Sequence, residues 1–195
     1  TTADLFEPVP VVAQAGLPAP RQLWLALRLP LLPLEAAWPG DATVAACAGA
    51  AAAARSGAST RPRAVAEGGG AHRHVVICDE RAARGGLRPG FRLGAAYALV
   101  PDLDVRERDP ALELRHLQAL GRWATRYTPF VSLEPPDTLL LEVRGSLRLF
   151  GGAAALAARA GRELDARAWR NVVALAPTPR AATWLARAAP GTLVE

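Results

Sequence analysis

The clearest alternation of apolar and polar side chains lies in Thr138–Arg144, and a period of two predicts a β-strand there. A short apolar run, Phe130–Leu133, predicts a second strand just before it. Pro135 and Pro136 lie between the two runs, where they exclude a helix and favour a tight turn. We therefore expect two consecutive strands, the second with Leu139, Leu141 and Val143 on one face and Leu140, Glu142 and Arg144 on the other.

A helical period is clearest in Pro110–Tyr127, where Leu112, Leu117, Leu120, Trp123 and Ala124 fall near one face. Pro110 suits the first turn of that helix, because N–H groups in the first turn have no carbonyl partner within the helix and proline lacks one. Weaker signals predict the remaining elements. Further helices are expected at Leu31–Ala37, Ala42–Ala54, Leu93–Val100, Ala153–Ala166 and Pro179–Ala188, and further strands at Leu23–Leu29, His74–Cys78, Leu103–Arg108 and Asn171–Leu175.

The order of these elements predicts the fold. With residues 40–109 set aside, the order is typical of a βαββαβ ferredoxin-like split sheet, an α/β arrangement of the α+β kind. Such a sheet buries one face under helices and leaves the other face open, and residues 40–109 form a small inserted subdomain. Residues 1–22 contain four prolines and predict an extended arm or linker. Arg55–Gly70, rich in Ser, Pro and Gly, predicts a mobile loop.

Composition narrows the class of protein only modestly. The formal charge is +5, and all 23 basic residues are arginine, a bias typical of a GC-rich genome. This excess permits contact with nucleic acid without arguing strongly for it. No apolar run reaches the roughly 18–20 residues that a membrane span needs, and no secretory signal is visible. Cys47 and Cys78 lack metal-ligand spacing, so we expect a reducing, cytoplasmic compartment.

Four segments of the chain resemble the Y-family DNA polymerases, and most of all the ImuB branch of that family. They are LWLALRLPLLPLEA (23–36), GLRPGFRLGAAYALVPDL (86–103), RWATRYTPFVSLEPPDTLLLEVRGSLRLFGG (122–152) and VVALAPTPRAATWLARAAPG (172–191). The resemblance implies a palm-like domain in residues 23–39 and 110–195 and a fingers-like insertion in residues 40–109. The little-finger domain that grips DNA would follow Glu195 and is absent from this sequence.

The resemblance also shows where the carboxylates of an active member would stand. Polymerases of this class hold two divalent ions with acidic side chains, because hard oxygen ligands are needed beside the phosphates. The first pair of acids maps to Ala26 and Arg28, so one ligand is lost and the other is replaced by a cation. The second pair maps to Asp137 and Thr138, of which only the first is acidic. We therefore expect no metal site and no resident cofactor.

The positions that would bind the triphosphate are also altered. The Tyr and Arg that active members place before the turn of the fingers map to Glu80 and Ala83, although Arg81 or Arg84 could substitute if the loop shifted. The Lys near the end of the palm maps to Ala189, and the chain contains no lysine. Loss at every one of these positions predicts a pseudo-polymerase, which is not an enzyme.

Several charged residues have two readings. Asp137 is either a vestigial metal ligand or a turn residue with a local backbone bond, and Arg28 is expected to pair with it across the sheet. Arg144 and Arg148 are either contacts to a DNA backbone or ordinary surface charge.

His72 and His74 have the spacing of a metal pair but no third ligand, so solvent exposure is expected. Asp102, Asp104 and Glu107 predict a solvated strand face, and Trp123, Trp169 and Trp184 predict anchors of the core.

The resemblance implies a scaffold in damage-induced mutagenic translesion DNA synthesis. The expected partners are an ImuA-like, RecA-related protein, an error-prone DnaE-type polymerase and the sliding clamp, bound through motifs that normally lie beyond the palm and thumb. Weak DNA contact is expected as well, and no membrane contact. Two alternatives stay open: an active nucleotidyltransferase with a rearranged set of acids (Asp137, Glu142 and Glu134), and a plain DNA-binding module.

Overall fold

The computed structural model describes residues 22–38, 61–189 and 191–194. Its larger sheet has four strands in the order β5-β6-β1-β7, and all neighbouring strands are antiparallel. The central strand β1 pairs along its whole length, so that Arg28 lies opposite Thr138 on one side and Val172 on the other. The strands of this sheet are β1 (Trp24–Arg28), β5 (Val131–Glu134), β6 (Thr138–Glu142) and β7 (Val172–Ala176).

Seven helices accompany the two sheets of the described chain. Helices α4 and α6 lie on one face of the four-stranded sheet, where α4 contacts β5 and β6 and α6 contacts β7. Helix α7 lies on the other face, against β1 and β7. The helices are α1 (Leu32–Ala37), α2 (Glu80–Arg84), α3 (Leu93–Leu99), α4 (Pro110–Ala124), α5 (Leu147–Phe150), α6 (Ala153–Asp165) and α7 (Pro179–Ala188).

The face under α4 and α6 holds the main core. We call it the leucine face, after Leu25, Leu27, Leu139 and Leu141, which are all fully buried. Leucines of α4 and α6 and the indole of Trp169 pack against it. Burying each such side chain contributes roughly 1.5–3 kcal/mol, so this face supplies much of the stability of the fold.

The sequence predicted that the opposite face would be open, but helix α7 covers part of it. Ala26, Ala174 and Ala176 are buried there with Leu140, and Ala182 and Ala186 of α7 pack against them; we call this the alanine face. Small side chains on both partners let the helix axis come close to the strands, which explains how α7 covers β1 and β7.

The smaller sheet has three strands in the order β3-β2-β4. Its strands are β2 (Arg63–Glu67), β3 (His74–Cys78) and β4 (Asp104–Glu107); β2 is antiparallel to β3 and parallel to β4. Strand β2 lies inside the stretch expected to be a mobile loop, so that expectation was wrong for residues 63–67. Its Ala-Val-Ala centre is fully buried, but two alanines carry little strand propensity, and the flanking Pro and Gly residues suggested a loop.

The predicted α+β class is confirmed, and most of the predicted elements are present within one or two residues of their expected bounds. Helix α2 was not predicted; Asp79 caps it by accepting a hydrogen bond from the N–H of Ala82 at 2.8 Å. The expected helix Ala42–Ala54 and residues 1–21 of the arm lie outside the described residues, as does Cys47. In the part of the chain that the structure describes, no helix is long and apolar enough to cross a membrane.

Candidate functional site

Arg28 and Asp137 form an ion pair at the end of the central strand. Arg28 is the last residue of β1, and its Nε donates to Oδ2 of Asp137 at 2.8 Å. The hydroxyl of Thr138 donates to the other carboxylate oxygen, also at 2.8 Å. The backbone also ties the two strands together, because the N–H of Leu29 donates to the carbonyl of Asp137. Both carboxylate oxygens of Asp137 therefore already accept hydrogen bonds from the protein.

This pair is half-sheltered from solvent. The side chain of Arg28 is 28% exposed and that of Asp137 is 14% exposed. A divalent cation brought to the carboxylate would meet the guanidinium of Arg28 at close range, and like charges repel at that distance. The pair that the sequence predicted is present, with the guanidinium of Arg28 in contact with the carboxylate of Asp137.

Ala26 lies two residues before Arg28, on the alanine face. Its methyl group is fully buried against Leu140 and α7, and it offers no oxygen to a metal. Thr138 is also fully buried, opposite Arg28 in the ladder. The structure thus brings Ala26, Arg28, Asp137 and Thr138 together around one end of β1 and β6, as the sequence predicted, with a single carboxylate among them.

The acids of the alternative, rearranged set are not all brought together. Glu142 lies at the far end of β6, about 13 Å from Thr138 along the strand. There its Oε1 accepts from the N–H groups of Leu23 and Arg144, each at 3.1 Å. Glu134 lies opposite Thr138 and accepts from the hydroxyl of Ser132 at 3.0 Å. Within residues 22–38, 61–189 and 191–194, no group of three or more His, Cys, Asp or Glu side chains could hold a metal ion.

The three positions assigned to the triphosphate lie in two separate places, on α2 and just after α7. Glu80 begins α2, where it pairs with Arg84 at 3.2 Å, and both side chains are largely exposed. The carbonyl of Ala83 accepts a hydrogen bond from Arg88 at 2.7 Å. Ala189 follows α7, and its carbonyl accepts from Thr192. A carboxylate that is held by a neighbouring arginine on an exposed helix is a poor ligand for a triphosphate, because both are anions.

Comparison with known proteins places the chain in a family. The profile of the impB/mucB/samB family matches residues 41–187, which is most of the chain. The chain belongs to the impB/mucB/samB family of Y-family polymerase-like proteins.

Curated relatives of this impB/mucB/samB chain are the ImuB proteins of two strains of Caulobacter vibrioides. Each is 41% identical over 105 residues, which are 54% of this chain and 23% of the relative. The match therefore spans about a quarter of the length of these relatives. The likeness relates the chain to ImuB at the level of a polymerase-like domain.

Solved structures with the same fold are Y-family polymerases. Dbh DNA polymerase in a post-insertion binary complex superposes with a TM-score of 0.66 at 15% identity, over 88% of this chain and 47% of that one. DinB from Sulfolobus solfataricus superposes with a TM-score of 0.62 at 14% identity, over the same shares of the two chains. At these identities the likeness shows the fold alone, which is that of the palm and fingers.

The remaining candidates in this impB/mucB/samB chain lie on its surface. Arg144 and Arg148 are exposed after β6, and neither guanidinium bonds to another described residue. His72 is exposed. Nε2 of His74 lies 3.6 Å from Oε1 of Glu67, and among the described residues these side chains belong to no group of three or more that could hold a metal ion.

Two expectations about aromatic and acidic residues need correction. Trp123 and Trp169 are buried in the core as expected, but Trp184 is 75% exposed. Helix α7 turns Ala182 and Ala186 toward the sheet, which leaves Trp184 on the opposite side of the helix. Asp104 is not simply solvated either, since it accepts a hydrogen bond from the indole of Trp38 at 3.2 Å.

The contacts that join α1 to the smaller sheet were not predicted from the sequence. Trp38 follows α1, and the guanidiniums of Arg63 and Arg106 lie 5.2 and 4.7 Å from the centre of its ring. Arg106 also donates to the carbonyl of Ala37. A tryptophan flanked by two cations on neighbouring strands is a cation–π arrangement. It could be found only once β2 and β4 were known to be adjacent.

Proposed function

We propose that this chain is the palm-and-fingers part of a polymerase-like protein that does not join nucleotides itself. It serves as a scaffold in damage-induced mutagenic translesion DNA synthesis. The observation that carries the proposal is the ion pair of Arg28 with Asp137, together with the buried methyl group of Ala26. The family membership and the fold supply the polymerase-like frame in which these positions have meaning.

The chemistry of nucleotide transfer explains why this pair matters. Two divalent ions must neutralise the phosphates and activate the attacking hydroxyl, and carboxylates hold both ions. Asp137 is one carboxylate, and its charge is already balanced by Arg28. Removing Arg28 alone would free one ligand, and an acid at position 26 would be needed to begin a second. The site is thus at least two substitutions away from a ligand set that could hold an ion.

Manganese provides the sharpest test of the site, because binding can be measured without turnover. In titrations followed by the paramagnetic signal of free Mn²⁺, we expect the chain to show no saturable site that depends on Asp137. The double variant Ala26→Asp, Arg28→Ser should gain one, and adding Asp137→Ala should remove it. A saturable site in the unchanged chain that Asp137→Ala abolishes would contradict the proposal.

Primer extension supplies the second readout. With Mg²⁺ or Mn²⁺, the unchanged chain and its Asp137→Ala variant are expected to give the same background. Extension that requires Asp137 would favour the alternative of an active enzyme.

The scaffold role requires partners, and those implied by the ImuB likeness are an ImuA-like, RecA-related protein, an error-prone DnaE-type polymerase and the sliding clamp. Pull-down of each partner by the full-length protein tests this part of the proposal. Failure of all three to bind would leave a fold without a scaffold function.

Weak DNA contact through Arg144 and Arg148 is part of the same proposal. It predicts gel-shift affinity that falls steeply with salt, and a weaker dependence in the double Arg→Gln variant.

A further inference from the structure

An apolar groove runs beside α7 on the alanine face. Its volume is about 980 Å³, and its lining includes Leu140, Ala176, Trp184, Leu185 and Val194. The indole of Trp184 is 75% exposed in this groove, although a tryptophan side chain gains more from burial than almost any other. An apolar groove of this size on a surface usually marks a place where another segment binds. In the described residues nothing covers it.

The segment that precedes Gln22 has a composition that suits this groove. Residues 1–21 include four prolines, which favour the extended polyproline conformation, and apolar side chains at Leu5, Phe6, Val9, Val11 and Val12. Proline-rich segments characteristically bind grooves lined by aromatic side chains, because little conformational entropy is lost on binding.

Charge agrees with this pairing. The segment carries Asp4, Glu7 and Arg21 as its charged side chains. The groove carries Arg180 and Glu134 in its lining, one residue of each sign. The guanidinium of Arg180 can therefore pair with Asp4 or Glu7 of the segment.

The segment also begins in the right place. Gln22 leads directly into β1, and the indole N–H of Trp24 donates to its side chain at 3.3 Å. Trp24 packs in the same cluster as Ala181 and Leu185 of α7, both of which line the groove. An extended segment of that length spans roughly 65 Å, whereas a five-residue strand spans only about 17 Å, so length does not limit its reach.

We propose that residues 1–21 bind in cis along this groove and cover Trp184. A tethered segment has an effective concentration in the millimolar range, so even modest apolar contacts suffice to hold it there. The contact makes the arm a built-in occupant of the groove, which any other protein segment would have to displace. It does not depend on the proposed scaffold function, because the groove and the arm are features of the chain alone.

Site-specific photo-crosslinking of the whole chain tests the proposal. A photoreactive p-benzoylphenylalanine in place of Trp184 should form crosslinks to peptides from residues 1–21, identified by mass spectrometry. A mixture of ¹⁵N-labelled and unlabelled chains separates crosslinks within one chain from those between two chains. The matched control carries the same photoreactive residue in place of Leu149, which is 80% exposed and does not line the groove. It should give no crosslink to the arm.

A second variant addresses the chemistry of the contact. The triple substitution Val9→Ser, Val11→Ser, Val12→Ser should lower the yield of the crosslink from position 184 to the level of the Leu149 control. Crosslinks that appear only between differently labelled chains would assign the groove to a second copy and overturn the proposal. Crosslinks that avoid residues 1–21, or a yield that the triple substitution leaves unchanged, would also overturn it.

Discussion

The two faces of the four-stranded sheet are buried in different ways. The leucine face is covered by α4 and α6 through large side chains that fill a thick core. The alanine face is covered mainly over β1 and β7, by a helix that comes close because Ala182 and Ala186 meet Ala26 and Ala174. The first face holds the fold together. The second face carries the Arg28–Asp137 pair at one end and the groove beside Trp184.

Removing a side chain from the leucine face should have the largest effect. Leu27→Ala deletes buried methyl groups from the main core and is expected to lower the free energy of unfolding by about 3 kcal/mol. Chemical denaturation with two spectroscopic probes measures this change. Leu149→Ala, at an exposed position, is the control and should change stability by less than about 0.5 kcal/mol. Equal effects of the two substitutions would show that the leucine face is not the main core.

The margin of the leucine face also contains a carboxyl group that opposes folding when charged. Glu35 accepts a hydrogen bond from the N–H of Arg170 at 2.9 Å, but burial raises its pKa from 4.5 to about 7. Its other carboxylate oxygen is buried without a partner among the described groups. Because the folded state holds the proton more tightly than the unfolded state, the contribution of Glu35 to stability is greatest below pH 4.5. It is lost as the pH rises toward about 7.

The expected size of this effect is up to roughly 3 kcal/mol, since each unit of pKa difference corresponds to 1.36 kcal/mol. Glu35→Gln should remove it, so the difference in unfolding free energy between the variant and the unchanged chain should grow in favour of the variant between pH 4.5 and pH 7. Denaturation at a series of pH values measures that difference. A difference that stays constant over this range would show that Glu35 titrates normally.

The alanine face should respond most to added volume. Ala182→Leu places extra carbon atoms between α7 and the strands, and overpacking of this kind typically costs about 2 kcal/mol. Ala158→Leu, at an exposed position of α6, makes the same change without meeting the sheet and should be nearly neutral. If Ala182→Leu is tolerated as well as Ala158→Leu, the close approach of α7 is not a constraint on this face.

The leucine face was largely predictable from sequence, and the alanine face was only partly so. Alternation in residues 139–143 assigned Leu139, Leu141 and Val143 to one face, and the structure buries all three in the main core. Alanine is compatible with helix, strand and surface alike, so the pattern around Ala26 and Ala182 did not show that the two would meet. The exposure of Trp184 follows from that contact and could not be predicted without it.

The contacts of the candidate site were likewise predictable from sequence only in part. Arg28 and Asp137 could be paired in advance because a resemblance placed them at adjacent strand ends, and the ladder between β1 and β6 is local and regular. The cation–π contacts of Trp38 join segments far apart in the chain, and strand β2, which carries Arg63, has a weak sequence signal. The predicted division into arm, palm-like and fingers-like domains remains a prediction.

The smallest expected effect on stability concerns the ion pair itself. Arg28 and Asp137 are both partly accessible to water, so their interaction should contribute only about 1 kcal/mol. A double-mutant cycle with Arg28→Gln and Asp137→Asn isolates that coupling from the separate costs of each change. High salt should reduce it, since exposed charges are screened. A coupling of zero would mean that Arg28 is held at this strand end by backbone geometry alone, and that its guanidinium is free to leave when a cation approaches Asp137.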